Sequence, residues 1–191
     1  MKIKLDHQNI WFISDTHFGH KNIIEYSNRP FKTVREHDDT LIRNWNWRVM
    51  PTDIVFHLGD FLFGAYEDIP KTIKRLNGNI IFVRGNHDKV LEKYYSSKHL
   101  DLFDYIDLSV DDSDANRGVQ DICLFHYPIE EWNKCHHGSW HLYGHTHGNS
   151  KFDKNYEYKR WNVGDDVNQF NPISYWEVKT LLKSKKIKSH H

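Results

Sequence analysis

Seven side chains able to bind metal ions occur in five short segments, and each segment follows a run of apolar residues. The donors are carboxylate oxygens, one amide oxygen and imidazole nitrogens, with no thiolate among them. A mixture of this kind suits Mn²⁺, Fe or Zn²⁺ and disfavours a structural zinc site built from cysteines. The seven residues are Asp15, His17, Asp60, Asn86, His126, His145 and His147.

Each segment alone also fits an ordinary structural role. Asp15 and His17 suit a turn that carries a surface imidazole, and Asp60 after a glycine is a common turn residue. A single histidine after an apolar run, such as His126, is commonly a hydrogen-bonded residue of the core. The pair of histidines in the last segment indicates a metal more strongly, but on its own it leaves both interpretations open.

Taken together, seven donors exceed what one open catalytic ion uses, and they therefore indicate two ions. If Asp60 bridges, each ion keeps room for water and for substrate oxygens. Two ions about 3.5–4 Å apart suit in-line displacement at phosphorus, because they acidify a shared water molecule, orient the phosphate and neutralise its growing charge.

The elements that carry these donors follow from hydrophobic periodicity. Short apolar runs with β-branched and aromatic residues predict buried strands. Two of these runs flank a polar turn at residues 111–118, which predicts a hairpin. The predicted strands span residues 9–14, 53–58, 79–84, 105–110, 119–125, 140–143 and 158–163.

Three helices are predicted between and after these strands. Thr33 and Glu36 have the spacing of a capping box, and apolar residues recur at helical intervals until Pro51 stops the helix. Ser174 and Glu177 open the last helix with the same spacing. The predicted helices span residues 33–50, 67–76 and 174–182.

Strands that alternate with helices predict an α/β fold, and the hairpin suggests two sheets rather than one parallel sheet. Ligand sites of open α/β sheets lie beyond the carboxyl ends of the strands, where all seven candidate ligands occur. The 191 residues contain no repeat and no linker, so we expect one domain over residues 1–191. The basic segment 183–191 is expected to be a flexible tail.

Composition limits the partners and the location. Lys and Arg together number 26, as do Asp and Glu, so no global charge favours a membrane or a long nucleic acid. No apolar run approaches the length of a membrane span. With only Cys123 and Cys135 present, a disulfide-stapled secreted protein is disfavoured and the cytoplasm is the expected location. No pattern indicates an oligomeric state.

The five segments together resemble the calcineurin-like metallophosphoesterase superfamily. The ordered motifs of this family are Asp-x-His, Gly-Asp, Gly-Asn-His-Asp/Glu, a solitary His and Gly-His-x-His. All five stand complete and in order, as Asp15-Thr16-His17, Gly59-Asp60, Gly85-Asn86-His87-Asp88, His126 and Gly144-His145-Thr146-His147.

The resemblance is to a small member without a cap domain, and it implies a four-layer α/β/β/α sandwich. This fold has two mixed β-sheets and a dinuclear metal site at the C-terminal ends of the strands. The cofactors implied are two divalent metal ions, with Mn first and Fe, Zn or Ni as alternatives. The implied ligands are Asp15, His17, Asp60 and His147 for the first ion and Asp60, Asn86, His126 and His145 for the second, with Asp60 bridging.

Four further residues receive roles. His87 matches the family histidine near the substrate phosphate and is expected to protonate the leaving oxygen, with Asp88 as its supporting partner. Beyond the shared motifs, His20 and Arg84 are expected to contact substrate oxygens. The alternative, in which Arg84 is solvated and His20 packs locally, stays open.

The expected function is hydrolysis of a phosphoester by in-line attack of a metal-bridging hydroxide. A phosphodiester is preferred to a monoester, and the substrate is expected to be a small phosphoester or nucleotide-type molecule. The alternatives are a phosphomonoesterase or nucleotide pyrophosphohydrolase of the same family, and a protein-binding scaffold on the same fold.

Overall fold

The computed structural model describes residues 2–6, 10–115, 117–154 and 157–188. Asn9, Asn116 and residues 189–191, which fall within the predicted strand, turn and tail, lie outside the described residues. The strands in the described part are β1 (Lys2–Asp6), β2 (Ile10–Ile13), β3 (Ile54–His57), β4 (Asn79–Phe82), β5 (Tyr105–Asp111), β6 (Val119–Phe125), β7 (Trp140–Tyr143), β8 (Arg160–Asn162) and β9 (Ile173–Ser174).

These strands form two mixed sheets. The larger sheet has the order β1-β5-β6-β7-β8, in which only the β5–β6 pair is antiparallel. The smaller has the order β4-β3-β2-β9, in which only β9 is antiparallel to its neighbour. The predicted α/β class with two sheets is therefore confirmed. The predicted hairpin is the β5–β6 pair, whose register runs from Tyr105 opposite Phe125 to Asp111 opposite Val119.

All three predicted helices are present, the second shorter than expected. At the start of the helix Val34–Arg48 the Thr33 side chain accepts a hydrogen bond from the Glu36 amide, while the Glu36 carboxylate accepts one from the Lys32 amide. Ser174 and Glu177 form a complete capping box at the start of α6. The helices are α1 (Ile23–Tyr26), α2 (Val34–Arg48), α3 (Asp68–Ile73), α4 (Lys89–Ser97), α5 (Lys151–Lys154) and α6 (Tyr175–Leu182).

Large apolar side chains fill the space between and outside the sheets. Phe12 and Phe56 of the smaller sheet share one buried cluster with Leu124 of the larger sheet and with Val178 of α6. A second cluster joins the other face of the smaller sheet to α2, α3 and α4. The helices α2 to α4, the smaller sheet and the larger sheet thus form three packed layers. This packing fixes the positions of the strand ends relative to one another.

A smaller cluster of side chains covers the outer face of the larger sheet. Cys123 packs there with Trp132 and Cys135, the latter in the short 3-10 helix Cys135–His137. The fourth, helical layer implied by the family resemblance stays an expectation.

The C-terminal segment contacts the body of the protein. The Lys186 amide donates to the Glu157 carbonyl, and the Lys188 ammonium donates to the carboxylate and carbonyl of Glu130. Flexibility of this segment stays a prediction. None of the described helices is both long enough and apolar enough to cross a membrane.

Candidate metal centre

The structure brings all seven predicted ligands together. Each lies just beyond a strand: Asp15 and His17 after β2, Asp60 after β3, Asn86 after β4, and the others after β6 and β7. Six of them form two groups, within each of which the candidate ligand atoms lie within 4.8 Å of one another. The groups are Asp15, His17 and His147, and Asp60, His126 and His145.

Asp60 belongs to the second group and also faces a histidine of the first. Its Oδ2 atom is 3.7 Å from His17 Nε2 and 3.6 Å from His126 Nε2. Its other carboxylate oxygen, Oδ1, accepts a hydrogen bond of 2.9 Å from the backbone amide of His87. One oxygen is therefore held by the protein while the other faces both groups, which is the position that a bridging carboxylate needs.

The backbone at these positions is strained. Asp15, His17, Asp60, His145 and His147 all have positive φ angles, between 48° and 70°. Non-glycine residues adopt this left-handed conformation uncommonly, and residues held in it cluster at functional sites. The packing of the fold therefore supports a geometry that local preference opposes.

Two glycines allow the loops to approach this closely. A Cβ atom at Gly85 would collide with the backbone amide and carboxylate of Asp60, and one at Gly144 with the side chains of Ser14 and Asp15. Any larger residue at either position would displace a candidate ligand.

The environment of His126 fixes its tautomer. Its Nδ1–H donates to the carbonyl of Leu58 at 2.7 Å, so Nε2 of the neutral ring carries the lone pair. Nε2 lies 3.0 Å from the amide oxygen of Asn86 and 3.6 Å from Asp60 Oδ2. Oxygen atoms at these distances from an imidazole nitrogen bind either its proton or a metal ion in the proton's place, and the contact therefore fits a metal ion held by both residues.

His147 is oriented by an acidic residue outside the predicted set. Its Nδ1–H donates to Asp166 Oδ2 at 2.6 Å, and Arg29 donates to both carboxylate oxygens of Asp166. Although burial lowers the pKa of His147, the hydrogen bond to Asp166 and the charge of Asp15 outweigh it and raise the pKa. Nε2, on the opposite side of the ring, lies 4.0 Å from Asp15 Oδ1.

His17 provides the clearest test of whether an ion fits. Its side chain is 2% exposed, and neither ring nitrogen has a hydrogen-bond partner among the described residues. Burial, aided by the charge of Arg29, holds its pKa well below the ordinary value, so the ring is neutral. A buried neutral imidazole without partners is unfavourable unless an ion accepts its lone pair.

The carboxylates also fit a cation. Burial raises the pKa of the fully buried Asp15, and the nearby charge of Asp60 adds to this effect, whereas His126 and His147 oppose it. Two buried carboxylates in one site repel each other without a counterion. Together with the imidazole lone pairs, they form an oxygen and nitrogen donor set that suits Mn²⁺ or a similar ion.

Of the residues predicted to assist catalysis, His87 lies in the cleft and Asp88 lies beneath the loops that carry the ligands. The His87 ring lies in the same cleft as the ligands, 5.9 Å from the ring of His17. The Asp88 carboxylate accepts hydrogen bonds from the amides of Gly85, Asp60 and Phe61, so it holds the loops that carry Asp60 and Asn86. Its role as a partner of His87 stays a prediction.

His20 and Arg84 occupy different places. His20 lines the cleft, where its ring stacks on Phe63 at 4.0 Å. Burial, followed by the charge of His87, lowers its pKa. The Arg84 guanidinium instead pairs with Glu92 and Asp104 at the surface, and the structure does not bring it to the cleft with the other residues.

Two residues that support the candidate ligands, Arg29 and Asp166, were not predicted from the sequence. Arg29 is 4% exposed and donates to the backbone carbonyls of Asp15 and Thr16 as well as to Asp166, so it ties the first ligand loop to the loop after β8. One signal was present, because Gly164-Asp165-Asp166 follows an apolar strand as the other ligand segments do. No local pattern marks Arg29.

Comparison with protein families gives one match over most of the chain. Residues 9–172 match the model of the calcineurin-like phosphoesterase superfamily domain. The match includes all seven candidate ligands together with His87.

Three similar proteins come from an archaeon, a phage and a bacterium. An uncharacterised protein of Methanocaldococcus jannaschii is 35% identical over 94% of each chain. The Gene 66 protein of Mycobacterium phage L5 is 28% identical over 83% of this chain and 87% of its own. The crystal structure of a protein of unknown function from Aquifex aeolicus is 28% identical with a TM-score of 0.67, and the match covers 91% of this chain and 98% of that one.

Proposed function

Because the chain belongs to the calcineurin-like phosphoesterase superfamily, we propose that it is a metal-dependent phosphodiesterase. Membership of the family supports hydrolysis of a phosphoester bond, and the diester and the residue roles are the proposal. The observation that carries it is the pair of His/Asp groups at one edge of the two sheets, with the Asp60 carboxylate between them.

The two groups, with Asn86, would hold two divalent ions. When bound, such ions stabilise negative charge on phosphoryl oxygens and lower the pKa of a bound water. Mn is the first choice for this oxygen and nitrogen donor set, with Fe, Zn and Ni as alternatives. Asp15, His17, Asp60 and His147 would hold one ion, and Asp60, Asn86, His126 and His145 the other.

The protein's own contribution is to fix its ligands before an ion arrives. The Leu58 carbonyl and the Asp166 carboxylate each accept the Nδ1–H of a histidine, which orients the rings of His126 and His147 and leaves Nε2 of each as the nitrogen available to an ion. Bonds of this kind also make the ring a better electron donor. The left-handed loops and Asp88 hold the carboxylates in place, so little reorganisation accompanies binding.

His87 is the proposed general acid. Its ring lines the cleft and its backbone amide is held by Asp60, so the imidazole projects beside the ligands without belonging to either group. A ring N–H of His87 passes its proton to the ester oxygen as the bond from phosphorus to that oxygen breaks, and the leaving group departs as an alcohol.

The charge of the cleft favours a diester. Among the described residues that line it there is neither lysine nor arginine, and Arg29 is occupied by Asp166 and backbone carbonyls. A diester phosphate carries one negative charge, whereas a monoester carries close to two at neutral pH. The two proposed ions would serve either ester, but the described lining supplies no fixed cation for a second negative charge, which supports a small phosphodiester as the substrate.

The cytoplasm is the proposed location. Cys123 and Cys135 are both buried as thiols, which suits a reducing compartment.

Protein reconstituted with Mn²⁺ tests the proposal on bis(p-nitrophenyl) phosphate and p-nitrophenyl phosphate, which share a leaving group. We expect kcat/KM for the diester to be roughly tenfold higher or more. A preference for the monoester would contradict the diester assignment. Hydrolysis of neither compound by protein that holds its ions would contradict the phosphoesterase assignment.

A further inference from the structure

The cleft extends beyond the two His/Asp groups. Its volume is about 330 Å³, near the lower end of the range of roughly 300–1,000 Å³ for small-molecule sites. Besides the candidate ligands, its lining includes Ile23 and Tyr26 of α1 and the following Ser27, which we call the outer part of the cleft. The cleft therefore has room for a phosphate and for one organic group attached to it.

Tyr26 is the unusual residue of this outer part. Its side chain is 72% exposed, although large aromatic residues normally bury most of their surface. Its ring meets the ring of His20 edge to face, with the centroids 6.3 Å apart. An exposed aromatic ring at the mouth of a cleft provides a surface on which another flat ring can pack.

His20 forms a fixed wall beside Tyr26. Its ring stacks on Phe63 with the centroids 4.0 Å apart and the planes 11° apart. A backbone hydrogen bond joins the loops of His20 and Phe63, since the Phe63 amide donates to the Phe18 carbonyl at 2.8 Å. The Gly19 amide also donates to the carboxylate of Asp38 in α2, which ties the His20 loop to that helix. The stacked rings of His20 and Phe63 are therefore held in place before a substrate binds.

The outer part of the cleft also lacks positive charge, since its described lining contains no lysine or arginine. A second phosphate group, as in a nucleoside diphosphate or a pyrophosphate, would find no cation there. An uncharged group with a flat face fits both the shape and the charge of this surface.

We propose that Tyr26 and His20 form a subsite for an uncharged aromatic group on the ester side of a phosphodiester, such as a nucleobase or a simple aryl ring. The inference rests on the proposed function, and it makes Tyr26 a residue that determines specificity. Tyr26 lies outside both His/Asp groups, so its contribution is to binding.

Binding of non-reacting mimics tests the subsite without relying on turnover. Methylphenylphosphinate and dimethylphosphinate carry the same single charge, contain no P–O–C bond that could be hydrolysed, and differ only in the ring. By calorimetry on Mn²⁺-loaded protein we expect the phenyl compound to bind about fivefold more tightly, the factor that one ring-to-ring contact supports. Tyr26→Ala should reduce this ratio to about one, and Tyr26→Phe should preserve it.

A control variant tests whether the effect is specific to Tyr26, and a third ligand tests which aromatic group the subsite binds. Trp47→Ala removes an aromatic ring that is 88% exposed outside the cleft, and it should leave the ratio unchanged. A 5′-deoxythymidine that carries a methylphosphinate on C5′ through a P–C bond adds a nucleobase and likewise contains no ester bond to phosphorus. Tighter binding of this ligand that depends on Tyr26 would assign the subsite to nucleotides, whereas a gain for the phenyl compound alone would assign it to simple aryl groups.

Equal affinity of the wild-type protein for the phenyl and methyl compounds would overturn the proposed subsite. So would a Tyr26→Ala variant that still binds the phenyl compound more tightly than the methyl compound. The reaction is judged separately, by hydrolysis of bis(p-nitrophenyl) phosphate. A Tyr26-dependent preference in a protein that hydrolyses no ester would support the subsite and refute the proposed reaction.

Discussion

His147 Nδ1 donates a hydrogen bond of 2.6 Å to Asp166 Oδ2, which joins a candidate ligand to a carboxylate 19 positions further along the chain. Arg29 holds the same carboxylate through Nε and a terminal nitrogen, at 2.9 and 2.8 Å. The ring is thus clamped with Nε2 facing Asp15, and the clamp belongs to neither His/Asp group.

Replacing Asp166 tests this clamp. Asp166→Asn removes the negative charge that orients His147, and we expect the affinity for Mn²⁺ to fall about 10- to 100-fold. Competition with a chelator measures the dissociation constant. Asp39→Asn, at an exposed carboxylate that pairs with Arg75, is the matched control and should leave affinity unchanged. Unchanged affinity in the Asp166 variant of a correctly folded protein would contradict the role.

The leaving group tests the acid role of His87. For a dinucleotide, whose leaving group is a sugar hydroxyl, we expect His87→Ala to lower kcat by about 10²- to 10⁴-fold. For a p-nitrophenyl diester the loss should be much smaller, because p-nitrophenolate leaves without a proton. Metal content should stay at the wild-type level, and so should the activity of His137→Ala, which alters an exposed histidine outside the cleft. An equal loss on both substrates would count against proton transfer.

Buried histidines predict the response of stability to acid. Burial lowers the pKa of His57 from 6.5 to about 3 and that of His141 from 6.5 to about 4. Below about pH 6.5 the unfolded chain takes up protons that the folded state excludes. The free energy of unfolding is therefore undiminished above this pH and declines as the pH falls towards the folded-state pKa values.

The contribution of His57 can be isolated by substitution. Between pH 7 and pH 4, metal-free His57→Gln should lose roughly 3 kcal/mol less unfolding free energy than the wild type. Urea titrations at each pH measure it, and comparing the loss rather than the absolute stability cancels any direct effect of the substitution. His137→Gln, at an exposed position, should follow the wild-type curve. Parallel curves for the wild type and His57→Gln would refute the linkage.

The sequence predicted the ligand positions well because each candidate directly follows a strand. A parallel strand delivers the next residues to one edge of its sheet, so the order of motifs carries the three-dimensional arrangement. The same reasoning located β2 to β8 and the helices with capping signals. It did not locate α4 (Lys89–Ser97), which begins directly after the His87-Asp88 motif and has no side-chain cap.

The contacts that support the ligands were harder to predict. Arg29 and Asp166 are 137 positions apart, and they meet only because β2 and β8 end at the same edge of the fold. For Arg84 the prediction failed in the opposite way. Its position directly after β4 predicted that it would contact substrate in the site, but its side chain forms ion pairs with Glu92 and Asp104 instead. Side-chain direction at a loop depends on neighbours from other elements, which a linear pattern does not contain.

The number of metal ions bound per chain decides whether two ions share Asp60. Elemental analysis of Mn²⁺-reconstituted protein after desalting should give about two ions per wild-type chain, together with diesterase activity. Asp60→Asn removes the charge between the groups and should retain at most about one ion and lose activity. A wild-type chain that binds no ion, or an Asp60→Asn variant that keeps two ions and full activity, would rule out a pair of ions that share Asp60.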